Sequence, residues 1–318
     1  MRTHLLTERL LDAAEAEQRC AVGLTETQRQ PLRRRRDRGI LVSPYCNVYA
    51  RSSYWNGLDP IQRHVHVLRA LSILHPTWVF AGLSAASIHG LEHAYAMHDD
   101  EVVTVASSFH SNRGNGKLKR IYIPNIGDVS ERRPLLSVTN MYRTLVDCAL
   151  TYSFSQTLPL FDSAVRRGTD IAMLPAYCKS LGFDSAAVMT LCHYADPLSE
   201  NGGESFMRAK IAELEFIMPR LQRPFHNPNN PEAPFRADFS WELPDGTIIV
   251  AEFDGMSKYV LDDGTRRGIQ ARVHAERERE TCLYAGGVMR IVRLEYEDGL
   301  YPERLERKLR EAGVPKRR

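Results

Sequence analysis

The 318-residue sequence has no long apolar run, no internal repeat and no low-complexity segment. No run approaches the length that spans a bilayer, and the first residues lack the charged-then-apolar pattern of a signal peptide, so no membrane association is expected. The cysteines lack C-x-x-C spacing, which gives no support to a zinc site or a disulfide framework. Such cysteine usage fits a reducing, cytoplasmic location. The six cysteines are Cys20, Cys46, Cys148, Cys178, Cys192 and Cys282.

A strong net charge is also lacking, because 42 Lys and Arg oppose 39 Asp and Glu, a formal charge of +3. A charge this small does not by itself predict a nucleic-acid partner, although its distribution along the chain can. With 43% hydrophobic and 25% charged residues, the composition is that of a globular protein. The length is sufficient for two or three domains.

The most informative stretch is residues 235–258, which read FRADFSWELPDGTIIVAEFDGMSK. Val, Ile, Phe and Trp dominate both halves, and the Pro-Asp-Gly sequence at 244–246 is typical of a turn with a glycine at positive φ. The stretch therefore predicts two strands joined by a tight turn. Residues 248–251 form a nearly continuous apolar run, which is typical of a strand buried on both faces.

A three-residue loop at 244–246 would set the register of this hairpin. It pairs Leu243 with Thr247 and places Asp238 opposite Glu252, with their Cβ atoms roughly 5 Å apart. A two-residue loop would shift the pairing by one residue and separate the two carboxylates. Acidic residues at hairpin ends are also commonly just solvated, so both interpretations stay open at this point.

Strand alternation sends Glu252 and Asp254 to the same face, while Phe253 points away. In the three-residue register, Asp238, Glu252 and Asp254 can share one divalent ion. Hard oxygen ligands favour Mg²⁺ or Mn²⁺. A carboxylate buried at the end of an apolar strand is costly unless it is paired or bound to metal.

Residues 199–300 resemble the PD-(D/E)XK nuclease superfamily, in the branch related to very-short-patch-repair endonucleases. The resemblance implies a restriction-endonuclease-like fold, DNA binding and Mg²⁺- or Mn²⁺-dependent phosphodiester hydrolysis. It also implies that a later helix, around 269–284, carries the family's arginine. The residues that carry the resemblance are Glu204, Arg208, Asp238, Glu252-Phe253-Asp254-Gly255, Lys258-Tyr259, Glu276, Arg279, Leu283 and Arg293.

Carried over from the family, the catalytic acids are Glu204, Asp238 and Glu252. Asp254 stands where the family has lysine, so either Lys258 supplies the missing cation or this copy is inactive. Glu204 has an alternative role as well, because a glutamate in the first turn of a helix favours the helix dipole whatever its chemistry. Arg279 is expected to contact phosphate or to brace the acidic cluster.

The first 57 residues predict three helices followed by a hairpin. Helices are predicted over residues 4–19, from residue 24 and from Pro31, and β-like runs follow around Ser43 and Cys46. This order is that of a winged helix-turn-helix, and its arginine-rich helix suits DNA phosphates, although a charge run is usually a solvated face. The predicted contacts to DNA are Arg29, Arg33, Arg34, Arg36 and Arg38.

Residues 25–50, which end in Asn47-Val48-Tyr49-Ala50, resemble the winged-helix domain of AbiEi-type antitoxins of type IV toxin–antitoxin systems. That resemblance implies promoter binding, repression of the protein's own operon and a cognate toxin as a partner. Two segments of the middle region, Ser84–Leu91 and Arg143 to Asp147, resemble the region that accompanies these antitoxins. We expect this region to have a structural or interaction role, including the formation of a homodimer.

Other features of residues 58–234 predict structure rather than chemistry. His89 is predicted to be a hydrogen-bonded structural histidine, and Arg143 and Asp147 a helix-surface ion pair. Two β-like runs, 101–106 and 119–124, flank a turn-rich segment that predicts a hairpin loop. Residues 219–234 are rich in proline and predict an irregular loop.

The predicted fold is therefore α+β and multidomain, with a winged helix-turn-helix over 1–57, a mixed, mainly helical middle region over 58–197 and a restriction-endonuclease-like domain over 198–318. Two functions stay open. One is a metal-dependent nuclease, and the other is a DNA-binding regulator in which the nuclease fold is a non-catalytic interaction module.

Overall fold

A computed structural model describes residues 2–110, 116–228, 230–254 and 277–317. The chain divides into two compact units, one of residues 1–152 with 171–189 and the other of residues 153–170 with 190–318. Each unit combines helices with a sheet, which confirms the mixed α+β class. No helix in the described ranges is long and apolar enough to cross a membrane.

The first unit begins with a small three-stranded antiparallel sheet in the order β1-β3-β2. Leu11, Leu32, Leu41 and Tyr49 form its buried core with the first two helices. The elements are α1 (Arg2–Ala16), β1 (Ala21–Val22), α2 (Glu26–Asp37), β2 (Leu41–Tyr45), β3 (Val48–Arg51) and α3 (Ser52–Asn56).

The prediction that Pro31 begins a third helix is wrong. A single helix, α2, contains Pro31. This helix starts before the proline, where Gln28 accepts hydrogen bonds from the backbone N–H groups of Leu24 and Thr25. Proline inside α2 gives up one helical hydrogen bond but does not divide the helix here. In the described residues only two helices, α1 and α2, precede the β2–β3 hairpin.

The rest of the first unit surrounds a five-stranded mixed sheet in the order β6-β5-β4-β8-β7. Its elements are α4 (Pro60–Leu74), β4 (Val79–Phe80), α5 (Gly82–His89), a short 3-10 helix (Tyr95–His98), β5 (Val103–Ser107), β6 (Leu118–Tyr122), α6 (Ile126–Val129), β7 (Ser130–Arg133), β8 (Leu136–Thr139), α7 (Met141–Ala149) and α9 (Leu174–Ser180).

Strands β5 and β6 lie where they were predicted, but they do not form a hairpin. They pair in parallel, with Val103 beside Leu118 and Ser107 beside Tyr122. The turn residues between the two strands therefore did not predict the direction of β6, and residues 111–115 of the predicted loop lie outside the described residues. The β7–β8 hairpin was not predicted from the sequence.

The second unit contains a four-stranded sheet in the order β12-β11-β10-β9. Strands β9, β10 and β11 are antiparallel, and β12 is parallel to β11. The elements are α8 (Phe154–Arg166), α10 (Ala186–Tyr194, shared with the first unit), α11 (Gly202–Glu213), β9 (Arg220–Phe225), β10 (Phe235–Glu242), β11 (Ile248–Asp254), α12 (helical residues 277–285), β12 (Val288–Glu295), α13 (Tyr296–Leu300) and α14 (Pro302–Ala312).

The predicted hairpin is confirmed, and of the two registers that the sequence left open, the one with the three-residue loop is formed. Glu242 pairs with Ile248 and Phe239 with Ala251, and the N–H of Leu243 donates to the carbonyl oxygen of Thr247 at 2.9 Å. Residues 249–253 are all buried, as the apolar run predicted. The irregular loop predicted for 219–234 is wrong in its first part, because residues 220–225 form β9.

Helix α11 is fixed by a buried ion pair and by one close approach to the sheet. Arg208 Nη2 lies 2.7 and 2.6 Å from the two carboxylate oxygens of Asp162 on α8. At the start of α11, a Cβ atom added to Gly203 would lie 2.4 Å from Cε1 of Phe253. Only a residue without a side chain lets the first turn of α11 approach the end of β11 this closely.

We therefore expect Gly203→Ala to lower the free energy of unfolding by about 1–3 kcal/mol, because the Phe253 ring must shift out of a packed core. Chemical denaturation monitored by circular dichroism measures this change. Gly127→Ala is the matched control, since a Cβ at Gly127 meets no atom within 4 Å. Equal stability of Gly203→Ala and the wild type would contradict this account of the contact.

Candidate active site

Three carboxylates from three elements converge in the second unit. Glu204 is the third residue of α11, Asp238 lies in β10 and Glu252 lies in β11. Extending the β10–β11 register by one pair places Asp238 opposite Glu252. The Asp238 carboxylate also raises the pKa of both glutamates, which shows that its charge lies close to each of them. The structure therefore brings together the three acids that the sequence singled out.

Glu204 is 4% exposed, and burial raises its pKa to about 7, with a smaller rise from the nearby Asp238 and Glu200 charges. Its carboxylate accepts hydrogen bonds from the Glu200 N–H at 2.9 Å, from Asn201 Nδ2 at 2.6 Å and from Gln222 Nε2 at 3.3 Å. The first two contacts satisfy backbone and side-chain donors at the start of α11. Glu204 therefore has a structural role in addition to its place beside Asp238.

Asp238 is half-buried, and its Oδ2 accepts a hydrogen bond from the Phe253 N–H at 2.8 Å. The β10–β11 hydrogen-bond ladder ends at the Phe239–Ala251 pair. Beyond it, the Asp238 carboxylate takes the place of a backbone acceptor. One oxygen of the carboxylate is thereby anchored, and the side chain is oriented toward Glu252.

Glu252 is 3% exposed, and burial raises its pKa to about 7. Arg279 opposes this rise in the pKa and Asp238 adds to it. Arg279 Nη2 lies 2.5 Å from Glu252 Oε2, whereas Glu252 Oε1 is buried without a hydrogen-bond partner in the described residues. A buried carboxylate oxygen without a hydrogen-bond partner is costly, and a positively charged ligand would compensate this cost.

Arg279 extends from α12 and also donates to the carbonyl oxygen of Arg236 at 2.6 Å. Of its two predicted roles, the structure shows the bracing of the acidic cluster. Its Nε is buried and has no hydrogen-bond partner among the described residues.

Asp254, the third predicted metal ligand, lies 3.6 Å from Arg293, which also contacts Glu280 at 2.9 Å. Lys258 and Glu276 lie outside the described residues. Within the described ranges, no group of three or more His, Cys, Asp or Glu side chains is placed to hold a metal ion. The described carboxylates of the hairpin thus offer two close ligands, Asp238 and Glu252, instead of three.

Gln222 was not singled out from the sequence. Its backbone has φ of 49°, a conformation that is rare for a residue with a side chain, and its amide reaches Glu204. It lies in the segment that the prolines marked as irregular, and no periodic pattern distinguishes it. Only its position on β9, opposite the acidic hairpin, makes it part of the site.

The predicted DNA-contacting arginines of the first unit separate into two groups. Arg29 donates to the carbonyl oxygens of Gly23 and Leu24 at 2.8 and 3.3 Å, so it holds the start of α2 in place. The other four are exposed, with Arg33 paired to Glu26 and Arg36 to Asp37 at the protein surface. These exposed arginines are Arg33, Arg34, Arg36 and Arg38.

His89 is the hydrogen-bonded structural histidine that was predicted, because its buried Nε2 donates to the Thr139 carbonyl at 2.8 Å.

The prediction of a surface ion pair between Arg143 and Asp147 is wrong. The two side chains are 2.9 Å apart and both only 3% exposed. Burial raises the pKa of Asp147 to about 6, against the opposing effect of Arg143. Spacing along a helix predicts that two side chains meet, but it does not predict which face of the helix is covered.

No family model matches the chain, and no curated protein matches it. The functional interpretation therefore depends on the site itself.

The raised pKa of Glu204 makes stability depend on pH. The folded state holds this proton more tightly than the unfolded state, so its contribution to stability is complete below about pH 4.5 and is lost as the pH rises toward 7. We expect Glu204→Gln, which keeps an oxygen for the Glu200 N–H, to raise the free energy of unfolding at pH 8 by about 1–3 kcal/mol. At pH 4 the gain should vanish.

Urea unfolding at several pH values measures this difference. Glu242→Gln is the control, because Glu242 is an exposed acid on the same sheet that pairs with Arg223 at 2.9 Å. A gain from Glu204→Gln that is the same at pH 4 and pH 8 would contradict the proposed burial of a charge.

Proposed function

We propose that the second unit hydrolyses phosphodiester bonds in DNA, with a divalent cation held by Asp238 and Glu252. The observation that carries this proposal is the buried, unpartnered Oε1 of Glu252 beside the Asp238 carboxylate, with a third acid, Glu204, within electrostatic reach. Glu204 and Glu252, whose pKa values are raised by burial and by the Asp238 charge, are destabilising when ionised unless a cation compensates them.

Two carboxylates are a sufficient protein contribution for Mg²⁺, which usually keeps several waters and binds substrate phosphates through its remaining positions. In each of the two strand carboxylates one oxygen is already anchored, by the Phe253 N–H in Asp238 and by Arg279 in Glu252. The second oxygen of Glu252 has no hydrogen-bond partner among the described residues, and we assign it to the cation. These residues fit a hard divalent cation.

When bound, the cation would lower the pKa of a coordinated water and neutralise charge on the phosphate. The protein's own contribution comes from Glu204 and Arg279. A carboxylate near a coordinated water can accept its proton, and we assign this general-base role to Glu204. The Arg279 guanidinium holds Glu252 in place.

The order α11-β9-β10-β11-α12-β12, with β12 parallel to β11, supports the resemblance to PD-(D/E)XK nucleases. DNA is the proposed substrate because α2 carries exposed arginines and is followed by a two-stranded hairpin, an arrangement that suits duplex phosphates. The resemblance to the antitoxins adds operator DNA, a toxin and a second copy of the chain as proposed partners.

A second function is favoured by one observation. Arg279 already contacts Glu252 Oε2 at 2.5 Å, so the described residues compensate part of the acidic charge without a metal. Asp254 also stands at the family's lysine position. In this alternative the second unit is a non-catalytic interaction module of an antitoxin-like repressor.

The experiment that separates the two functions is a cleavage assay on single- and double-stranded DNA and on RNA with Mg²⁺ or Mn²⁺. We expect Asp238→Asn and Glu252→Gln each to lower the rate by about 100-fold or more, because each removes one negative charge from the cation site. Asparagine at 238 keeps an oxygen that can accept the Phe253 N–H, so the loss reports the charge. Glu242→Gln should cut at the wild-type rate.

Cleavage that survives both substitutions would contradict the assignment of the site. If the wild type cuts nothing but binds its own upstream DNA, the repressor is the better description. That binding should weaken in the double variant Arg33→Gln/Arg34→Gln and should not change in Asp238→Asn.

A further inference from the structure

The stretch from residue 102 to residue 127 contains no Asp or Glu, although the whole chain has 39 of them in 318 residues. The same stretch contains four Lys or Arg and one His. It includes β5 and β6 of the first unit, and β6 is an edge strand of the five-stranded sheet. Lys117 pairs with Glu101 just before β5, so the positive charge of this edge strand comes from Lys119 and Arg120.

Strand β6 exposes both basic and aromatic side chains. Lys119, Arg120 and Tyr122 are exposed, and the side chain of Tyr122 lies next to Ser107 across the parallel pair. Alternation places Arg120 and Tyr122 on one face of the strand, roughly 7 Å apart, and Lys119 on the other. A cation and an aromatic ring are thus presented side by side along the edge.

Two further rings lie at the end of β5. Phe109 is 79% exposed, and the His110 ring stacks on Tyr122 with ring centroids 3.7 Å apart and planes inclined by 24°. The Ser107 hydroxyl accepts from the Phe109 N–H at 3.2 Å and donates to the Phe109 carbonyl at 2.7 Å, so a local turn holds these rings beyond the strand.

The charges alone have a simpler explanation, because Lys and Arg on an edge strand prevent pairing with other sheets. That explanation does not extend to the rings. An exposed phenylalanine and an exposed stacked His–Tyr pair promote association instead of preventing it. Aromatic rings interleaved with cations are the pattern by which proteins bind single-stranded nucleic acid.

We propose that the β6 edge, defined as Phe109, His110, Lys119, Arg120 and Tyr122, binds single-stranded nucleic acid. Unpaired bases stack on Tyr122 and Phe109, and the phosphates contact Lys119 and Arg120. A duplex hides the faces of its bases, so single strands are favoured. This surface belongs to the first unit, and the proposal is independent of the carboxylates of the second.

Fluorescence anisotropy with a labelled oligonucleotide of about 16 nucleotides tests the proposal on the full-length protein, in EDTA so that no strand is cut. Tyr122→Ala and Phe109→Ala should each weaken binding roughly tenfold, whereas Tyr122→Phe should bind like the wild type. The double variant Lys119→Gln/Arg120→Gln should lower the slope of log affinity against log salt by about 1.4, since each phosphate contact contributes about 0.7.

Tyr95→Ala is the matched control, because Tyr95 is an exposed tyrosine, at 50% against 41% for Tyr122, and lies in the 3-10 helix instead of β6. Circular dichroism verifies that each variant is folded. DNA and RNA of one sequence are compared to learn which sugar is preferred.

If binding is lost in Arg33→Gln/Arg34→Gln but unchanged in Tyr122→Ala, α2 is the binding surface and the proposal is overturned. The proposal would also be overturned if an acidic peptide displaced the labelled oligonucleotide as well as an unlabelled oligonucleotide does and Tyr122→Ala left binding unchanged.

Discussion

The acidic site depends on a contact that involves none of its charges. Gly203 lets the first turn of α11 lie directly on Phe253, and this packing places Glu204 beside the end of the β10–β11 hairpin. Phe253 in turn offers its backbone N–H to Asp238. One residue of β11 thus meets α11 with its ring and orients the Asp238 carboxylate with its backbone. A buried ion pair between Arg208 and Asp162 fixes the other side of the same helix.

This packing brings carboxylates together whose negative charges repel one another. Glu204 and Glu252 are both buried, and Asp238 lies close enough to raise the pKa of each. Arg279 relieves part of the repulsion by pairing with one oxygen of Glu252, and the other oxygen has no partner in the described residues. A buried carboxylate oxygen without a hydrogen-bond partner carries a desolvation cost that a bound cation would relieve. The two functions proposed above therefore differ in the group that balances these acids, a cation for the nuclease and Arg279 for the repressor.

The central hairpin was predictable because its determinants are local. The Pro-Asp-Gly turn and the apolar strands on either side of it predicted the hairpin, and a three-residue loop gives the register that places Asp238 opposite Glu252. The predictions that were wrong concern features set by contacts between residues far apart in the sequence. The strand direction of β6, the burial of Arg143 with Asp147 and the existence of β9 all follow from neighbours far along the chain. Gln222 could not be found at all, since its role comes from a strained backbone and a reach to Glu204 that no local pattern encodes.

The account is tested most directly by titrating the wild type and Asp238→Asn with Mn²⁺ near pH 7, by calorimetry in two buffers of different ionisation enthalpy. If Asp238 and Glu252 hold a cation, one Mn²⁺ binds per chain and protons are released, because glutamates with a pKa of about 7 are partly protonated before the cation arrives. Asp238→Asn then abolishes both the binding and the proton release. Absence of saturable binding to the wild type, or binding that Asp238→Asn leaves unchanged, would contradict the account and leave Arg279 as the group that balances the site.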